Sequence, residues 1–170
     1  MLSLMRHLVV IIIVTCIAGS SIAKVKNRSL KELVQDSDLI LIGKMTKITE
    51  TLSDDDLWAE GLSTIRVERV IKGALTGHEV NVIYDPCTPD VSARYYLCER
   101  CVFFLTRAER GVVTRMLFKD VNGKYFATGG YLGKVPIREF DEMAVDIHLV
   151  GEAEEQTLDK FVEKIDRLLK

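Results

Sequence analysis

The sequence predicts a mainly β protein: a small, closed or nearly closed antiparallel barrel with a short N-terminal helix and an amphipathic C-terminal helix. Two observations predict this class. Most of the chain after residue 37 consists of short apolar, β-branched runs separated by Gly, Asp, Asn and Pro, which is typical of strands and turns. Helical periodicity is confined to the two ends of this region, and short strands flanked by helices favour a barrel.

The N-terminus has the order of a secretory signal peptide. A basic residue, Arg6, precedes an apolar run over 8–17, and a stretch of small residues follows at 18–21, with Ser21 and Ala23 as the small recognition residues for cleavage. We therefore expect cleavage between Ala23 and Lys24. The apolar run is shorter than the about 20 residues that a permanent membrane helix needs, and an uncleaved anchor is the alternative.

Cleavage at that point leaves residues 24–170, a length that suits one domain with one core. The 23 Lys and Arg and the 25 Asp and Glu residues are interspersed along the chain, without a basic run. A nucleic-acid partner therefore has no electrostatic footprint. We expect a secreted or periplasmic protein with no stable membrane span once the signal is removed.

Both helices are predicted from local pattern. Ser29 and Glu32 form a capping box, which predicts a helix of about two turns that ends near residue 36. Near the C-terminus, apolar residues repeat at the spacing of one helical face while the opposite face carries charges of both signs. The members of that apolar face are Leu158, Phe161, Val162, Ile165, Leu168 and Leu169. Mixed charge favours packing on the sheet over binding to a membrane surface.

Between the helices we predict strands at 38–49, 63–72, 78–84, 101–106, 112–119, 124–128, 131–137 and 144–150. The first of these is too apolar for an exposed strand, so it crosses the core, with Gly43 as a bulge or bend. Asn122-Gly123 is a strong hairpin signal. Residues 85–94 contain Pro86 and Pro89 and form the longest loop, because two such prolines do not fit a central strand.

Several of these segments resemble bacterial secreted domains related to the netrin and tissue-inhibitor-of-metalloproteinase modules. The resembling segments are SDLILIGK at 37–44, STIRVERVIKG at 63–73, HEVNV at 78–82, YYL at 95–97, CVFFL at 101–105 and GGYLGK at 129–134. The resemblance implies an OB-like five-stranded barrel flanked by helices, used as a binding or inhibitory module. Animal inhibitors of this kind begin with a zinc-clasping cysteine, whereas this chain would begin at Lys24, so inhibition by that mechanism is not expected.

Cysteine is the most informative residue type for chemistry. The mature domain holds Cys87, Cys98 and Cys101, an odd number in an oxidising compartment. We predict one disulfide, from Cys87 to Cys98 or Cys101, and one free thiol. The alternative is a zinc site in which the three cysteines are joined by His78 or His148, although no second paired cysteine motif is present.

No catalytic motif occurs in the sequence, and we predict a non-enzymatic protein without a cofactor. The preferred function is binding of a protein or a cell-envelope component through the loops. The predicted contact residues are Trp58, Tyr95, Tyr96 and Tyr131, because aromatic side chains anchor interfaces. A metal- or thiol-dependent protein centred on the three cysteines is the alternative. Asn27 is a glycosylation acceptor where the host glycosylates.

Overall fold

A computed structural model describes residues 28–52, 59–86, 93–110, 121–145, 147–152 and 154–170. In chain order its elements are α1 (Leu30–Asp36), β1 (Leu39–Leu52), β2 (Ala59–Lys72), β3 (Glu79–Tyr84), β4 (Arg100–Arg107), β5 (Tyr125–Ala127), β6 (Lys134–Arg138), β7 (Met143–Ala144), β8 (Gln156–Thr157) and α2 (Leu158–Leu168). Short 3-10 turns lie at Ala108–Arg110, Gly130–Gly133 and Ile147–Val150. The signal peptide, Trp58, Cys87 and the predicted strand 112–119 lie outside the described residues.

Five strands close into a barrel in the order β1-β2-β3-β5-β4, and β4 pairs again with β1. This confirms the predicted OB-like barrel with a helix near each end. The pairings are antiparallel except between β3 and β5, which meet in parallel through the bridge Val82↔Tyr125. Strands β6, β7 and β8 extend the sheet beyond β4.

The apolar run of β1 is buried, as its composition predicted. It separates two hydrophobic cores, one inside the barrel and an outer core that contains the buried side chains of both helices. Leu39, Leu41 and Met45 point into the barrel, where they meet the inner side chains of β4. Ile40 and Ile42 point to the opposite face and pack with both helices. Because successive side chains of a strand alternate between faces, a strand buried on both faces must be apolar at every position.

Gly43 gives β1 the bend that its position predicted. The β1–β2 register shifts between Ile42 and Gly43. A Cβ atom added at this glycine would lie 2.5 Å from Cγ2 of Ile65 and 2.7 Å from the carbonyl oxygen of Arg66. Only glycine therefore allows β2 to approach β1 so closely here.

The helices cover the outer core. The capping box of α1 is formed, because Ser29 Oγ accepts from the Glu32 amide and Glu32 accepts from the Ser29 amide. Helix α2 buries Leu158, Phe161, Val162 and Ile165 against the same core. Across the part of the chain that the structure describes, we find no helix with the length and apolar content needed to cross a bilayer.

Two of the predicted strands are wrong in part. The segment predicted at 131–137 begins as a 3-10 turn and becomes strand only at Lys134, because Gly129 and Gly130 have φ values of 73° and 66° and open a turn. The segment predicted at 144–150 contains only the short strand β7 and then a 3-10 turn at Ile147–Val150. Its buried side chains pack in the outer core although the segment does not pair as a strand after β7.

Candidate binding site

The candidate site lies where the chain enters β4. Among the described residues, Met45 makes the last backbone bonds of β1 on this side. Its amide donates to the Glu99 carbonyl oxygen and its carbonyl accepts from the Cys98 amide, both at 2.9 Å. Cys98 then has φ of 65°, a left-handed conformation that few residues other than glycine adopt. The Glu99 amide donates to the Tyr96 carbonyl oxygen at 3.2 Å and closes this turn. Residues 93–99, which precede β4, therefore form a turn and an irregular segment and not a continuation of the strand.

Tyr95 directly precedes this turn, and its side chain anchors the turn to the barrel. Its ring packs edge-on against Tyr84 of β3, with the ring centroids 5.0 Å apart. Its hydroxyl is buried and has no hydrogen-bond partner among the described residues. Burial raises the pKa of the Tyr95 hydroxyl, with smaller contributions from Cys101 and Tyr84. Tyr95 was predicted as an exposed contact residue, but its side chain is buried in the core of the barrel and meets solvent only where it lines a cavity.

Tyr84 connects the turn to the far end of β1. Its hydroxyl donates to Glu50 Oε1 at 2.7 Å. Burial, and then the hydrogen bond to the Glu50 carboxylate, raise the pKa of Tyr84. The bond holds the Glu50 side chain beside Tyr84, and both residues line the same cavity as Tyr95.

Lys134, the first residue of β6, holds the turn through side-chain contacts. Its Nζ donates to Glu99 Oε2 at 2.7 Å and to the carbonyl oxygen of Arg94. The same Nζ lies 5.8 Å from the ring centroid of Tyr95 and 5.2 Å from that of Tyr96, within cation–π range. One ammonium group thus fixes the backbone and both tyrosines of the segment.

Tyr96 and Leu97 point outward from the supported turn. Their exposed fractions are 58% and 61%, although both are large apolar side chains. We call this pair the rim. Beside the rim lies a cavity of about 250 Å³. Its lining residues are Glu50, Tyr84, Asp85, Pro86, Ala93, Arg94, Tyr95 and Tyr96.

Two larger depressions lie at the other end of β3 and β4. Their volumes are about 340 and 680 Å³, and they share Ala74, Arg107, Glu109 and Tyr125 as lining residues. Many of their polar groups are already paired: Arg110 pairs with Asp38, and Glu109 accepts from the Gly123 amide at 2.9 Å. They lack the exposed apolar pair that marks the rim.

The cysteines do not form the predicted bridge. Cys98 and Cys101 are both free thiols in the structure, the first exposed and the second buried inside the barrel. They face different environments because Cys98 lies on the turn before β4, whereas the side chain of Cys101 points from β4 into the barrel interior. Burial raises the pKa of the Cys101 thiol well above its usual value, and the neighbouring Glu99 raises it further.

The remaining predicted residues do not converge on one place. His78 is exposed at the start of β3, and the described residues contain no group of three or more His, Cys, Asp or Glu placed to hold a metal ion. The side chain of His148 and residues Asn27, Trp58 and Cys87 lie outside the described part. Tyr131 is half-buried, packs on the outer core and does not line the cavities described above.

Sequence reasoning missed Glu50, Leu97 and Lys134 as parts of the site. Leu97 carried a usable signal, because an apolar residue directly after Tyr95-Tyr96 breaks strand alternation and places apolar groups on both sides of the segment. Glu50 and Lys134 carried none, since their roles depend on partners 34 and 35 residues away. Comparison with known proteins adds no assignment: the sequence matches no protein-family model and no characterised protein.

Proposed function

We propose that the mature chain, residues 24–170, is an exported, non-catalytic OB-like module that binds a protein or a component of the cell envelope. The observation that carries the proposal is the rim. Two adjacent large apolar side chains, Tyr96 and Leu97, are more than half exposed, yet they stand on a turn that is held by buried contacts. Exposed apolar groups on a rigid support favour an interface, because little ordering entropy is lost on binding.

Three further observations are consistent with this proposal. The cavity beside the rim offers a recess for a group of the partner. Export, which the sequence predicts from the signal peptide, would bring the protein among envelope components or secreted proteins. The resemblance to netrin-related modules, which rests on sequence segments alone, points to the same class of function.

Thiol chemistry receives no comparable support. A reactive cysteine needs a stabilised thiolate, whereas the Cys101 thiol is buried and its pKa is raised. Cys98 is exposed without a described histidine or metal-ligand cluster around it. We therefore keep binding through the rim as the proposed function.

The test is a quantitative pull-down from the secreted and envelope fractions of the producing cells. Immobilised wild-type protein is compared with Tyr96→Ala and with Phe140→Ala. Phe140 is a matched control because it is an aromatic residue that is 83% exposed and lies in the turn after β6, away from the cavity lining. We expect a partner retained by wild type and Phe140→Ala and lost from Tyr96→Ala; retention by all three proteins would refute a binding site at the rim.

A further inference from the structure

Among the described residues, nothing pairs with the backbone groups of β1 beyond Met45 on the edge that faces the rim. β1 pairs with β2 along its length, to Leu52↔Ala59, but it pairs with β4 only from Leu39 to Lys44. Within the described ranges, Met45 makes the last backbone contact on the β4 side. For residues 47–51 the described part of the chain supplies no backbone partner on that side. Five residues of an extended strand span about 16 Å.

The described segment before β4 does not continue the pairing with β1 beyond Met45. Cys98 has a left-handed conformation, and residues 93–99 do not form a strand. Consecutive N–H groups of a strand point to opposite edges, so about half of those in residues 47–51 face the opening.

The cavity lies between this edge and the rim. Glu50 of β1 lines it together with Arg94, Tyr95 and Tyr96 from the segment before β4. Its volume of about 250 Å³ is below the about 300–1,000 Å³ of pockets that enclose drug-sized ligands. The cavity therefore suits one side chain of a larger molecule better than a whole small ligand.

We infer that the partner binds by strand addition: an extended segment of another protein pairs with residues 47–51 of β1 and places one side chain in the cavity beside Tyr96. Only a polypeptide backbone offers donors and acceptors at the spacing of a free strand edge. Every second side chain of the segment faces the cavity side, and the residue seated there has an apolar body that packs on the tyrosine rings. This inference rests on the proposed function and specifies its mode.

A second copy of this chain fits the edge less well. Lys47 and the bulge between Met45 and Lys47 lie at the start of the free stretch. A lysine and a bulge are features by which natural edge strands discourage pairing between copies. They leave the part of the edge beside Glu50 and Tyr96 accessible. There the shape of the cavity determines which partner side chain fits.

The test uses the purified mature protein and a phage-displayed library of random 12-residue peptides. Selected peptides are synthesised and their binding is measured by calorimetry, then repeated with the amide nitrogen methylated at one residue at a time. Strand addition predicts losses of about tenfold or more at alternate residues and small effects at the residues between them, because only alternate N–H groups face β1. Tyr96→Ala should weaken binding about tenfold, and Phe140→Ala should not.

Hydrogen exchange locates the contact independently. We expect amides within residues 47–51 to exchange rapidly in the free protein and to be protected when the peptide is bound. A library that yields no binder sensitive to Tyr96→Ala, methylation losses without a two-residue period, or protection confined to other strands would overturn strand addition. A concentration-dependent dimer with the same amides protected would show that a second copy of the chain occupies the edge, and would also overturn the proposal. If the pull-down shows a partner that is lost with Tyr96→Ala, the rim remains a binding site whatever these experiments show. Failure of strand addition can therefore be distinguished from failure of the proposed function.

Discussion

The Nζ of Lys134 and the Oε2 of Glu99 are 2.7 Å apart, and these two side chains are only 10% and 19% exposed. The pair joins the start of β6 to the residue before β4, beneath the turn that carries Tyr96. A charge pair this far from solvent depends on both partners, because either charge alone is costly to bury. The rim therefore depends on a group that does not itself contact a partner.

Lys134→Met should lower the free energy of unfolding by about 2 kcal/mol, because it leaves the Glu99 carboxylate partly buried without its cation. The matched control is Arg167→Ala, which removes the exposed pair with Glu163 on α2 and should cost less than about 0.5 kcal/mol. Urea unfolding measures both changes. Equal small losses would show that the Lys134 pair contributes no more than a surface pair.

Tyr95→Phe and Tyr84→Phe should have opposite effects. The Tyr95 hydroxyl is buried without a partner among the described residues, so removing it should stabilise the protein by about 1 kcal/mol. The Tyr84 hydroxyl donates to Glu50, so removing it should cost about 1 kcal/mol. Thermal or urea unfolding of the two variants checks the sign. Destabilisation by Tyr95→Phe would mean that its hydroxyl is hydrogen-bonded.

Stability should fall at alkaline pH. The pKa values of Cys101, Tyr95 and Tyr84 are all raised in the folded protein, so the unfolded chain releases these protons first. The folded state then holds more protons, and the free energy of unfolding decreases as pH rises. The loss should begin near pH 9 for Cys101 and near pH 10 for the tyrosines, up to about 1.4 kcal/mol per pH unit for each group.

Urea unfolding at several pH values from 8 to 11 measures this loss. Tyr95→Phe is the control, because it removes one of the titrating groups while keeping the ring in place. The fall above pH 10 should be less steep in this variant than in wild type. Identical slopes for both proteins would contradict a buried, protonated Tyr95.

The two described thiols should differ in reactivity. Iodoacetamide at pH 8 should modify exposed Cys98 in the native protein at least about tenfold faster than buried Cys101, whose raised pKa disfavours the thiolate. Trypsin separates them, since cleavage after Arg94, Arg100 and Arg107 places each cysteine on its own peptide. Mass spectrometry then reports each rate. Comparable rates in native protein, with both rising equally on unfolding, would contradict the burial of Cys101.

Local patterns predicted the parts of the fold that local physics determines. The capping box at Ser29, the bend at Gly43 and the apolar face of α2 each follow from neighbouring residues, and all are present. The continuous apolar run of β1 also predicted a strand buried on both faces. The strand predicted at 131–137 was wrong at its start because Gly129 and Gly130 adopt left-handed conformations that the apolar pattern does not reveal.

The site was less predictable than the fold. Strand alternation indicates that Tyr95 and Tyr96 point in opposite directions but does not say which one is inside. That choice depends on the packing of Tyr95 against Tyr84 and on the ion pair between Lys134 and Glu99. Both contacts join residues far apart in sequence, and they leave no periodic or local signal.

The most direct test of the rim as a binding surface is site-specific photo-crosslinking in the producing cells. A photoreactive phenylalanine analogue replaces Tyr96 in one strain and Phe140 in another, so that both probes are aromatic and exposed. We expect illumination to link position 96 to a discrete secreted or envelope partner and position 140 to none. Equal crosslinking at both positions, or none at position 96 with the protein correctly exported and folded, would contradict the binding function proposed for the rim.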